Sequence, residues 1–330
     1  MPNFDVVIPV GTTDVNFISR VVNYISTCLK DIEYIYIITS DKNIQSVKKQ
    51  LLSKFNNCII IDENKLLPNF SFQIIDELLR KYSPNKKQRT GWYYQQFLKL
   101  AFAKSKYSHS FYLTWDADTL PLAPITFFED NHILYNPKKE YNPNYFTTIE
   151  KLFGYGKQNK FSYIAEHMLF STDIVCQMLR EIEQSKIKGD SWFEKILSAS
   201  NFDNPLPCFS EFETYGTYCF VNYPTLYKPR YLNTFREAGF ICGRNISDKK
   251  LRIMSFDIDT ASFEMLHEPM FPYNLPNLWI KYKRRFSKLA KMSLKDLFKK
   301  INEKKDSKLD QQRTNDILYR LPYRKNNNKL

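Results

Sequence analysis

Glycine is what this chain has least of, with 8 in 330 residues. Folds that wrap phosphates in several glycine-rich loops need residues that tolerate positive φ or let the backbone approach a ligand closely. The scarcity argues against them. Paired cysteines are missing too. Cys28, Cys58, Cys176, Cys208, Cys219 and Cys242 are scattered, with no CxxC spacing, so neither a zinc ribbon nor a redox pair is indicated. Thiols kept reduced in a cytoplasmic setting are the expectation. No stretch of about 18 consecutive apolar residues occurs, so no membrane-spanning helix is expected. The opening MPNFDVVIPVG lacks the basic-then-apolar order of a secretory signal.

What is present is a globular composition: 43% hydrophobic and 25% charged, with 26 Phe and 22 Tyr. The length suits one large domain or two modest ones. The net charge of +13 is unevenly placed. Residues 281–330 hold 17 Lys and Arg against 5 Asp and Glu, whereas the first 280 hold 31 against 30. A near-neutral body with a basic tail argues against a nucleic-acid-binding surface. In the tail, Phe286, Leu289, Ala290, Leu294, Leu297, Phe298 and Ile301 recur at helical spacing between Lys and Arg. That pattern predicts a helix lying in an anionic membrane interface, followed by a disordered end.

Along the first 120 residues, apolar β-branched runs predict strands over 4–10, 34–39, 58–61 and 110–115, alternating with helices over 15–29, 43–55, 71–82 and 91–104. Asp14 is expected to cap the first helix. Alternation at this spacing predicts an α/β fold with a mainly parallel sheet. Ligands of such sheets bind beyond the carboxyl ends of the strands, where Thr12, Asp41 and Asp116 fall. From 121 to 275 the pattern is less regular, with helices expected over 172–184, 191–198 and 211–220. The pattern divides the chain into a regular half with a ligand crevice (1–120), a less regular half (121–275) and a tail over 276–330.

Two DxD motifs occur, Asp116-Ala117-Asp118 and Asp257-Ile258-Asp259. With 19 aspartates in the chain, such a spacing is expected by chance, so context decides. The first follows the strand-like FYLTW, where a nucleotide half-domain would finish. The second follows LRIMSF, also strand-like, deep in the irregular half. The first is preferred. Two carboxylates on a strand-end turn can hold a hard divalent cation that bridges the phosphates of a nucleotide-sugar, which requires no glycine-rich loop.

Four blocks then occur in order: Arg89-Thr90-Gly91-Trp92-Tyr93-Tyr94-Gln95-Gln96-Phe97-Leu98-Lys99-Leu100, Trp115-Asp116-Ala117-Asp118, Ala165-Glu166-His167-Met168 and Ser210-Glu211-Phe212-Glu213-Thr214-Tyr215-Gly216. Over roughly 4–270 the chain resembles bacterial GT-A-like glycosyltransferases encoded with capsule and lipopolysaccharide genes. The resemblance implies a GT-A fold and a Mn²⁺- or Mg²⁺-dependent enzyme that uses a nucleotide-sugar, by expectation a UDP-sugar. It also implies that 1–275 is a catalytic domain whose halves bind nucleotide-sugar (1–120) and acceptor (121–275). The acceptor would be a saccharide or lipid-linked saccharide, and the protein would sit on the inner face of the cell membrane. Asp116 and Asp118 would hold the metal, with His267 as a third ligand.

Glu211 is the expected base of an inverting reaction, with Glu213 and Glu166 as substitutes. Ser210 and Glu213 also read as a capping box. Glu166 and His167 would bind the acceptor. Thr12, Asp41, Arg89, Trp92, Gln95, Gln96 and Asp116 would line the donor site, while Tyr93, Tyr94 and Phe97 read as core. The alternatives are a metal-dependent sugar nucleotidyltransferase, which would want a basic glycine-rich loop where GTTDVN stands, and a non-enzymatic binder of anionic surfaces or nucleic acid.

Overall fold

The computed structural model describes residues 2–84, 89–203, 206–265, 267–275 and 279. The chain divides at Met270: one compact unit is Met1–Met270, the other Phe271–Leu330, and every element named below belongs to the first. The expected tail helix lies outside the described residues.

The alternating half runs β1 (Phe4–Val10), α1 (Ile18–Cys28), β2 (Ile32–Thr39), α2 (Asp41–Leu51), β3 (Cys58–Asp62), α3 (Phe72–Tyr82), α4 (Thr90–Ala101), β4 (Phe111–Trp115) and β5 (Thr119–Pro121). The second half adds β6 (Phe128–Glu129), β7 (His132–Tyr135), α5 (Pro143–Phe153), β8 (His167–Ser171), α6 (Thr172–Gln184), α7 (Trp192–Ala199) and α8 (Glu211–Asn222). It ends with β9 (Tyr227–Pro229), β10 (Thr234–Phe235), α9 (Ala238–Cys242), α10 (Asp248–Met254) and β11 (Thr260–Ser262).

The central sheet has the order β3-β2-β1-β4-β8. Its first four strands are parallel and β8 is antiparallel to β4. The α/β fold with a mainly parallel sheet is thus as expected. Alternate residues of each strand enter two separate cores. Val7, Tyr36, Ile38, Tyr112 and Phe170 face one, with residues of α3, α4, α6, α7 and α8. Val6, Ile8, Ile37, Leu113 and Leu169 face the other, with α1 and α2. This is the period-two geometry of a strand buried on both faces. It explains why β1 is apolar at every position but Asp5.

Local chemistry sets several helix ends. Asn142 Oδ1 accepts the Asn144 N–H at 3.1 Å, Pro143 occupies the first turn, and Gly154 closes α5 at φ 80°. Helix α8 starts where Ser210 Oγ accepts the Glu213 N–H at 3.3 Å. The expected cap at Asp14 is not made. Asp14 Oδ1 is paired with Arg244 at 2.7 Å, and α1 begins three residues later than expected, after Phe17. LRIMSF, expected as a strand, falls largely within α10. Among the described residues no helix is long and apolar enough to cross a membrane.

Candidate active site

Two cavities open at the carboxyl ends of the parallel strands. The first, about 370 Å³, is floored by Val10 to Thr12 after β1, Ser40 to Asn43 at the start of α2, and Glu63 and Asn64 after β3. Tyr94, Gln95 and Leu98 of α4 form its wall. Asn43 ties the floor together, its Nδ2 donating to Thr12 Oγ1 at 3.3 Å and Thr39 Oγ1 at 3.2 Å. Thr12 and Asp41 therefore stand together as expected. Burial, with Asp62 and Asp41 nearby, pushes the Glu63 carboxyl up to about 7.

The second cavity, about 290 Å³, lies on the other side of α4. Trp92, Gln95, Gln96 and Lys99 face it from α4, Asp116 from the end of β4, Glu166 from the start of β8, and Ser210 and Glu211 from the start of α8. Gln95 lines both cavities. Trp92 and Gln96 share one face, as residues one turn apart do. Arg89 is exposed and sits 5.0 Å over the Trp92 ring.

At the bottom of this cavity Lys99 holds two carboxylates. Its Nζ lies 2.7 Å from Asp116 Oδ1 and 2.6 Å from Glu211 Oε1, and 4.3 Å over the Phe212 ring. Burial alone would push the Lys99 pKa down. The two carboxylates outweigh it and hold the pKa above its ordinary value. Burial raises Glu211, against the opposing pull of Lys99. Gln96 Oε1 accepts the Glu211 N–H at 3.2 Å, which fixes the first turn of α8. Lys99 has no functional role in the sequence reading. Its signal is that α4 is buried on nearly every side, from Tyr93 to Ala101, and a lysine at such a position needs an acidic partner.

Other expected residues fall elsewhere. His167 is buried and does not line the cavity. It stacks on Trp115 at 4.6 Å, with Arg230 Nη2 3.4 Å from its Nε2. Burial, then Arg230 and Lys138, push its pKa well below the ordinary value, and its ring packs in the core beside the cavity rather than in its lining. Glu213 is also buried away from the cavity. Its Oε1 accepts from Ser162 Oγ and the Tyr163 N–H, so the reciprocal half of a capping box is not formed and Glu213 braces a loop instead. The same loop presses Tyr163 onto α8 so closely that a Cβ on Gly216 would come within 2.2 Å of the ring.

The expected metal trio does not converge. Among the described residues, the three-ligand group whose atoms lie within 4.8 Å of one another is Asp5, Glu33 and His109, near the opposite ends of the strands. One oxygen of Asp116 is held by Lys99. His267 stacks on Phe240 at 4.0 Å and reaches Glu237 at 3.4 Å and Glu264 at 3.8 Å. The charge around Asp118 nonetheless fits a cation. Burial, with Asp116, Asp14 and Glu264 nearby and only Arg244 opposing, pushes its carboxyl up to about 7. An oxygen-rich, under-neutralised turn is the donor chemistry that hard divalent ions take.

The chain belongs to a family of unknown function (DUF6492), whose model matches residues 4–238. No curated protein matches it significantly. Similar solved structures include mouse xyloside xylosyltransferase 1, at 12% identity and TM-score 0.42, covering 82% of this chain and 100% of that one. Galactosyltransferase LgtC in complex with donor and acceptor sugar analogues is 11% identical, TM-score 0.39, covering 79% and 87%. Mannosyltransferase Ktr4p from S. cerevisiae is 10% identical, TM-score 0.37, covering 60% and 66%.

Proposed function

We propose that this member of the DUF6492 family is a GT-A-type glycosyltransferase that moves a sugar from a nucleotide-sugar, in our reading a UDP-sugar, to a saccharide acceptor. The observation that carries the reading is the pair of cavities sharing Gln95, with the Asp116-Ala117-Asp118 turn leaving β4 beside the second. The first cavity suits a nucleoside, with Asp41 and Thr12 as partners for its hydroxyl and polar edges. The second suits a monosaccharide, with the Trp92 ring for its apolar face and Gln95, Gln96 and Glu166 for its hydroxyls.

Asp116 and Asp118 would hold a divalent ion, and Glu264 joins them as an acidic neighbour the sequence reading omits. When bound, such an ion neutralises charge on the leaving diphosphate. Glu211 accepts the proton of the attacking hydroxyl in an inverting transfer. Lys99 opposes the rise that burial gives the Glu211 carboxyl and aims it, and Gln96 holds its backbone.

The setting we propose is bacterial surface polysaccharide synthesis, capsule or lipopolysaccharide, with the protein held to the inner face of the cell membrane. The 17 basic residues of 281–330 support this, at about 1 kcal/mol each near an anionic leaflet. The test is consumption of a nucleotide-sugar panel by the full chain, with and without chelator and anionic vesicles. One donor should be consumed, with loss on chelation, and the chain should pellet with the vesicles until salt is raised. Glu211→Gln should lower turnover about 10²–10⁴-fold with donor affinity retained. A folded chain that binds and consumes no donor overturns the reading. Turnover that persists in Glu211→Gln overturns the base, and failure to pellet overturns the membrane setting.

A further inference from the structure

The second cavity carries more negative than positive charge. With Asp116 set aside as a proposed metal ligand, its walls still present Glu140, Glu166 and Glu211 against Lys99 and Arg236, and both cations are engaged. Lys99 is closed between Asp116 and Glu211. Arg236 is bonded to Glu140, with Glu264 Oε1 3.9 Å from its Nε. Among the described lining residues, an entering sugar carboxylate would meet no uncommitted ammonium or guanidinium.

It would meet Glu166 instead. Glu166 is 6% exposed, and its Oε2 is buried with no hydrogen-bond donor. Its salt-bridge partner, Lys138 Nζ, stands 3.6 Å away and also donates to Thr234 Oγ1. A buried acceptor left without a donor is costly, and a ligand that brings a donor removes that cost. Hydroxyl and ammonium groups are donors, whereas an ionised carboxylate only accepts.

Resting on the glycosyl-transfer reading above, we propose that this cavity takes a sugar without an acidic group, neutral or amino-bearing, and rejects uronic and other anionic sugars. The Glu166 carboxylate accepts a hydrogen bond from one of the sugar's hydroxyl or amino groups, its side chain turning so that the buried oxygen gains that donor. Selectivity then comes as much from repulsion of the wrong sugar as from attraction of the right one.

The experiment is isothermal titration of the full chain with UDP, GDP and two matched pairs, UDP-glucose with UDP-glucuronate and GDP-mannose with GDP-mannuronate. For the pair whose nucleotide binds, the uronate should bind at least about tenfold more weakly, about 1.4 kcal/mol. Glu166→Gln and Glu140→Gln should each narrow that gap. Equal or tighter binding of the uronate by the wild-type chain overturns the proposal and leaves the glycosyl-transfer reading standing. A gap that persists unchanged in both variants overturns the assignment to these carboxylates. Failure of both nucleotides and all four sugars to bind removes the glycosyl-transfer reading, and the proposal with it.

Discussion

Asp116-Ala117-Asp118 and Asp257-Ile258-Asp259 are joined by one ladder. Strand β5 leaves the first, β11 leaves the second, and the two pair antiparallel, with Thr119 opposite Ser262 and Pro121 opposite Thr260. Their surroundings differ completely. The first ends a central strand of the parallel sheet, with a buried ammonium on Asp116 and an Asp118 carboxyl that burial and neighbouring acids raise to about 7. The second follows a short helix. Asp257 is exposed, and Asp259 Oδ2 accepts the Asn233 N–H at 2.7 Å. The same spacing therefore serves as a charged wall in one place and as a turn anchor in the other. What separates them is which strand delivers them.

The strongest way to break this contrast is Asp118→Asn. Transfer should fall about 10²–10³-fold, whereas Asp257→Asn should leave it within about twofold. Equal losses in folded variants would erase the distinction. Stability should move the other way. The Asp118 pKa is raised above its ordinary 3.8, so folding favours the protonated carboxyl, and that contribution is lost as pH rises from about 4 through 7. Asp118→Asn should therefore melt higher than wild type above pH 7, by about 1–3 kcal/mol, and equal it below pH 4. Thermal melts in chelator at both pH values check the sign.

Lys99→Met should come next in effect. It leaves Asp116 and Glu211 facing each other without their cation, at about 3–5 kcal/mol in urea unfolding at neutral pH. The loss should shrink in acid, as the Glu211 carboxyl, raised by burial, takes up a proton. A loss that is the same at pH 4 and pH 7 would mean that Lys99 acts by packing alone. Asp259→Asn is the smallest change, about 1 kcal/mol from one weakened hydrogen bond, with activity retained.

Much of the first half was legible in the amino-acid order. Strands β1 to β4 are short, mostly apolar runs, each ended or closely followed by a polar side chain (Thr12, Thr39, Asp62, Asp116), and a parallel sheet covered on both faces requires the apolar part of that pattern. Thr12, Asp41 and Asp116 follow from strand ends alone. The second cavity was harder to read. Glu140 and Arg236 come from irregular segments with no period, and each is placed by its partner across the fold. Lys99 is hidden in the amino-acid order because a lysine on a helix ordinarily marks a solvated face, and only the burial of its whole turn marks it otherwise. Glu213 and His167 show the opposite case. They have the chemistry of a site, but the fold turns both inward, to a loop and to Trp115.

The direction of β8 decides how the second cavity is supplied with side chains. Because it runs against β4, Trp115 lies opposite His167, and the Asp116 N–H reaches the Glu166 carbonyl at 2.9 Å. The second cavity thus receives Glu166 at the end of an incoming loop, upstream of the strand. That loop can lengthen or shorten without changing the sheet register, and the first cavity draws nothing from it. Inherited variation in this family should then concentrate insertions and deletions between Gly154 and Phe161, after α5 and before the residues that Glu213 holds, and spare the path from β1 to α4. One end of the binding groove would be heritable capital, the other open to renovation.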